Sequence, residues 1–203
     1  MGKSRIMIIV ESVIDGTIGI EQVWQTYGEE IRSTSKLSTE EDVLALTELY
    51  LRYANFLAHN GYLRDAEVYY SDSLRILENE KSKLSDDNFR SWSEVPLRCL
   101  ASIYAQLEKY KEALPYLKQL KDMYPRKDEY RQDYYGCLRS AIAKYTTPIY
   151  IVIAIIFLLD IAESYFQDVQ IIPDWLLDVS WSIWVVSIIV QFGLPWVLNK
   201  VMK

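Results

Sequence analysis

The sequence predicts an all-α protein in which a polar helical array is followed by a two-helix transmembrane hairpin. Three observations predict it. Charge is unevenly placed: of 22 Lys and Arg residues only Lys200 and Lys203 lie beyond residue 144, and of 28 Asp and Glu residues only five do. Two long apolar stretches fill that charge-poor region. Ahead of it, apolar residues recur at helical spacing, and no alternating β-branched run closed by a tight turn suggests a strand.

The elements follow in order. Residues 1–37 form an N-terminal segment. Ile6 to Val10 is apolar, but Glu11 and Asp15 follow too soon for a secretory signal. Helix is expected from residue 18, where Ile18, Ile20, Val23, Trp24, Tyr27 and Ile31 share one face. A helical domain then spans 38–145. Ser38 and Glu41 read as a capping box that opens a helix running to about His59, closed by Asn60-Gly61. A second helix covers 63–79. After a polar stretch, 80–87, a third passes through Pro96 to Leu107. A short turn at Glu108-Lys109 leads into a fourth that ends near Tyr124-Pro125, and a fifth, 128–144, runs straight at the membrane.

The first span is read at 146–167. Its 22 residues cover roughly 33 Å as a helix, enough for a hydrocarbon core of about 30 Å. Pro148 suits its first turn, where a missing N–H costs nothing. The second span, 179–198, carries no formal charge, and Trp175, Trp181, Trp184 and Trp196 lie towards its ends as interfacial belts do. Asp160 opposes insertion, at about 2.5–3.5 kcal/mol for a central position, but it lies past the midpoint and ten apolar neighbours offset it. Its role stays open between a helix–helix contact that drives oligomerisation, a polar pathway shared with Gln191, and snorkelling towards the acidic loop. Arg139 and Lys144 before the pair, Lys200 and Lys203 after it, and none in the loop place both termini in the cytosol. A bacterial inner membrane or an organelle membrane fits. The competing expectation is a soluble protein that buries the two stretches in its core.

Two helix pairs look alike. The first reads LYLRYANFLAHNGYLRDAEVYYSDSLRIL and the second LRCLASIYAQLEKYKEALPYLKQLKDMYP. Ala54 and Ala101 take the small site of the first helix, and Ala66 and Ala113 open the second helix twelve residues later in both copies. Tyr50, Tyr53, Leu57 and Tyr70 fill the large sites of one copy, with Leu97, Leu100, Tyr104 and Leu117 in the other. On these residues the chain resembles the tetratricopeptide repeat family, a helix–turn–helix unit of about 34 residues. It departs from the pattern in four places: about 13 extra residues near 80–93, Leu120 where Ser73 keeps a small site, Tyr50 and Leu97 where Trp or a similar residue is expected, and a turn glycine, Gly61, in the first copy only.

The resemblance implies a groove lined by the inner faces of successive first helices, here Glu48, Arg52, Asn55 and His59, then Arg98, Ser102 and Gln106. It implies a protein or peptide partner, and Arg52 with Arg98 as holders of an acidic segment. The alternative is a solvated polar face. Catalytic chemistry finds little footing. There is one histidine, His59, no CxxC, and no histidine beside Cys99 or Cys137, which read as reduced, half-buried thiols. No metal or cofactor is expected. The net charge of -6 argues against nucleic acid. The chain therefore reads as a membrane-anchored adaptor rather than an enzyme, with an oligomerising membrane effector or pore as the alternative.

Overall fold

The computed structural model describes residues 4–34, 37–165 and 173–189. Among these, every regular element is helical: α1 (Arg5–Ile14), α2 (Ile20–Ser33), α3 (Glu40–His59), α4 (Leu63–Asn79), α5 (Asp86–Gln106), α6 (Tyr110–Met123), α7 (Asp128–Tyr165) and α8 (Asp174–Ile188), with a 3-10 turn at Lys81–Lys83. α1 packs chiefly on α3, and from α3 onward each helix packs chiefly on its chain neighbours, so α3 to α7 form a consecutive stack. Leu51, Ala54, Ala66, Leu97, Leu100, Ala113 and Leu120 form the centre of its core.

Helix begins earlier than residue 18. α1 escapes the helical reading because its apolar run is short and its caps are inconspicuous. Ser4 caps it by accepting the Met7 N–H at 3.3 Å, and Ile6, Ile9 and Val10 bury against Val43, Leu46 and Tyr50. Its start is tied to the start of α3 through the buried carboxylate of Asp42. The Ser4 hydroxyl and, behind it, the Ser38 N–H hold that carboxyl below its ordinary range, although burial pushes the other way. The capping pair of α3 sits one residue later than Ser38 and Glu41. Thr39 accepts the Asp42 N–H at 3.2 Å, while Asp42 accepts the Ser38 N–H at 3.2 Å. α2 closes over the other side, where Trp24 stacks on Tyr53 at 4.7 Å and meets Tyr50 and Tyr69 edge-on.

The turns α3–α4 and α5–α6 are the same object 47 residues apart. In the first, Tyr62 N–H bonds Leu57 C=O at 2.9 Å and Gly61 N–H bonds Ala58 C=O at 3.1 Å; in the second, Lys109 bonds Tyr104 at 2.8 Å and Glu108 bonds Ala105 at 3.0 Å. This double bond pattern is a Schellman motif, which requires a left-handed residue at the same place in both. Gly61 supplies it at φ 82° and Glu108 at φ 55°. The polar stretch between the pairs becomes the 3-10 turn and an extended start of α5. Glu40 holds it there, accepting from the Ser85 N–H at 2.9 Å and Asn88 Nδ2 at 2.8 Å.

α7 runs unbroken for 38 residues. Pro148 is therefore not in a first turn but inside the helix. Packing of α6 on residues 128–145 has already nucleated α7, so no new start is needed. The proline leaves the Lys144 carbonyl without its helical donor, while the Thr147 hydroxyl bonds the Ala143 carbonyl beside it at 2.7 Å. Among the described residues α7 is the one helix long and apolar enough to cross a membrane. Only 6% of its most apolar stretch is buried, against the mostly buried core helix of a soluble protein. α8 lies against it through Phe157 and Trp181, 5.1 Å apart.

Candidate functional site

Three clefts follow one another along the face formed by α3, α5 and α7. Arg52, Asn55, Phe56 and His59 line the first, closed by the α1–α2 loop at Gly16 and Ile18 and by Ile20 at the start of α2. His59, Tyr70, Cys99, Ser102 and Gln106 line the second, between α3 and α5. Arg98, Ala101, Ser102, Gln132, Asp133 and Gly136 line the third, between α5 and α7, with a volume of about 510 Å³. Successive clefts share a helix, and this makes them one face: His59 borders the first and second, Ser102 the second and third.

The side chains predicted from the sequence differ in what they are free to do. Arg52 is engaged, its Nε 2.6 Å from Glu48 Oε1 one turn earlier. Asn55 accepts from the Tyr70 hydroxyl at 2.6 Å through its side-chain oxygen, which keeps its amide N–H groups available as donors. His59 Nδ1 lies 3.0 Å from the Asn55 carbonyl. Gln106 donates to Ser102 at 3.3 Å. Arg98 makes no ion pair within 4.0 Å among the described residues. Arg52 and Arg98 do not share a cleft: Arg52 lines the first and Arg98 the third, and one residue of register separates them. The 47-residue offset that superposes the turns puts Cys99, not Arg98, in the position of Arg52.

Sequence reasoning missed the wall supplied by α7. Gln132, Asp133, Gly136 and Ser140 complete the third cleft. Burial, then the neighbouring Glu129, pushes the Asp133 carboxyl up from its ordinary range. Gly136 was the available signal: a helix-interior glycine costs about 1 kcal/mol against alanine, and here a Cβ would meet nothing within 4 Å. Nothing inside the fold therefore accounts for the missing side chain.

Asp160 stands on the α7 backbone, but its side chain lies outside the described residues, as do Gln191 and the second span beyond 189. Among the described residues no group of three or more His, Cys, Asp or Glu side chains could hold a metal ion. Cys99 and Cys137 are free thiols, and burial pushes the Cys137 thiol up. No protein-family model, curated protein or solved structure matches the chain.

Proposed function

We propose that the chain is a membrane-anchored adaptor of tetratricopeptide-like build, whose cleft-lined face binds an extended protein segment. The run of three clefts carries this reading. A segment at ~3.3 Å per residue can span adjacent helices spaced ~8–10 Å apart with about three residues each. Arg98, as the third cleft's ion-pair-free cation, is the residue proposed to hold an acidic side chain of that segment. The repeated turn, together with the buried Ala54, Ala66, Ala101 and Ala113, supports the tetratricopeptide-like build. The anchor reading rests on α7 and α8, where Ile151, Val152, Leu158, Trp181 and Val186 are each more than half exposed. Large apolar side chains exposed together in this way mark an interaction or membrane surface.

The test fills the third cleft. Gly136→Trp places a large ring where a Cβ meets open space, so the fold survives while the segment is excluded. Crosslinking in native membranes, followed by pull-down, is expected to lose its partner in this variant and to weaken it in Arg98→Ala. Partner recovery equal to wild type in both would sink the groove.

Asp160 within the apolar half of α7 favours a second reading, an oligomeric membrane effector. Vesicle leakage that Asp160→Ala abolishes would select it over the adaptor. Tight vesicles would exclude it.

A further inference from the structure

We propose that the α5–α6 turn and the adjoining face of α7 form a binding site for the phosphate headgroup of an anionic phospholipid, with Lys111, Lys144 and Tyr145 as its core. The proposal rests on the membrane reading of α7 and adds a specific lipid contact to it.

The position comes from helix continuity. α7 packs along α6 and continues past it without a break, so the level of the turn relative to the span is fixed. Lys144 Nζ donates to the Glu108 carbonyl at 3.0 Å, which pins the turn to that residue's height. The span is read from residue 146, so Lys144 and Tyr145 stand ~1.5–3 Å outside it along the axis. The headgroup layer is roughly 5–7 Å deep on each side. The turn therefore lies within the headgroup layer, not above it.

The chemistry fits that layer. Lys109, Lys111, Lys144 and Tyr145 line one cleft of about 170 Å³ with Glu108, Tyr110, Glu112 and Ala141. Lys111 Nζ lies 4.7 Å over the Tyr145 ring and has no ion-pair partner among the described residues. Tyr145 is 58% exposed, and a tyrosine with an apolar ring and a polar tip is the side chain that bilayer interfaces enrich. The acidic residues do not cancel the site. Glu108 is 71% exposed and 3.8 Å from Lys144, a loose surface pair that contributes little. Next to a negatively charged leaflet, juxtamembrane lysines are attracted.

The full-length protein in detergent is titrated with phosphatidylglycerol or with phosphatidylcholine of the same acyl chains, and retained lipid is read by native mass spectrometry. In parallel the protein is floated with phosphatidylcholine vesicles. Wild type is expected to retain phosphatidylglycerol about fivefold over phosphatidylcholine. Lys111→Gln with Lys144→Gln is expected to lose that preference, and Lys111→Arg with Lys144→Arg to keep it, all three floating equally. Failure to float overturns the membrane reading and the site with it. Floating with an unchanged preference in the glutamine variant overturns the site alone. Displacement of the lipid by millimolar inorganic phosphate would assign the cleft to free phosphate and overturn the lipid proposal.

Discussion

Glu108 sits in a backbone region that costs an L-residue roughly 1–2 kcal/mol, in a turn whose twin uses glycine. Glu108→Gly removes that strain and forfeits little, since the side chain is mostly in water and its pair with Lys144 is loose. The variant is expected to gain about 1 kcal/mol, read as a higher midpoint in thermal melts; a lower midpoint would show that the turn is not strained. Glu94 offers a second test at the same scale. It accepts from Lys127 Nζ at 2.7 Å and from the Tyr130 hydroxyl, joining α5 to α7. Burial raises its carboxyl, but the bonds from Lys127 and Tyr130, with the nearby Tyr124 hydroxyl, outweigh it, and the net displacement is downward. A depressed carboxyl contributes stability that is complete above its unfolded value, about 4.3, and is lost as pH falls through its folded value. Glu94→Gln is therefore expected to melt lower than wild type at pH 7 and to converge with it in acid. Parallel curves would remove Glu94 from the acid response. Tyr124 sets the opposite limit, since burial and then Glu94 push its phenol up to about 12. Its contribution is complete below the ordinary value near 10 and fades as pH rises through the folded one.

Elements were legible where apolar periodicity was long and punctuated. α3 to α6 announce themselves through caps, the Asn60-Gly61 stop and fourteen or more periodic residues each. α1 did not, because ten residues with few polar positions resemble a truncated leader as much as an amphipathic helix. The groove was half legible. Residues on α3 and α5 can be placed by repeat spacing, but α7 runs on into an apolar stretch instead of turning into a paired amphipathic helix, and its role as another wall emerges only from packing. Register was legible: Ala54 and Ala101, like Gly61 and Glu108, lie 47 residues apart, which pairs Arg52 with Cys99 and not with Arg98. At the scale of elements, Thr39→Ala tests how far the α3 cap matters. It removes the acceptor of the Asp42 N–H and is expected to cost about 1 kcal/mol, with amide exchange rising first in α1 and the beginning of α3, which share Asp42. Exchange that rises uniformly instead would show that α1 is not hung on that cap.

For the molecule as a whole, the tryptophans separate two environments. Trp24 is buried in the aromatic cluster of α2 to α4, and Trp92 packs against the core, whereas Trp175, Trp181 and Trp184 are exposed on α8. In vesicles of brominated phosphatidylcholine the α8 tryptophans are expected to be quenched. The variant with Trp175, Trp181, Trp184 and Trp196 changed to Phe should retain Trp24 and Trp92 emission with much less quenching. Equal quenching in both proteins would argue against insertion of α8.

The uninterrupted α7 has a geometric consequence for any partner. Asp133, in the third cleft, precedes Pro148 by fifteen residues along one helix, a height of ~22 Å at 1.5 Å per residue. With no hinge between cleft and span, the receptor surface of the proposed adaptor would have a fixed altitude rather than a tether length. It would capture only what comes within that thin shell above the lipid, so its partner would itself be held close to the membrane or offer a segment that reaches down to it.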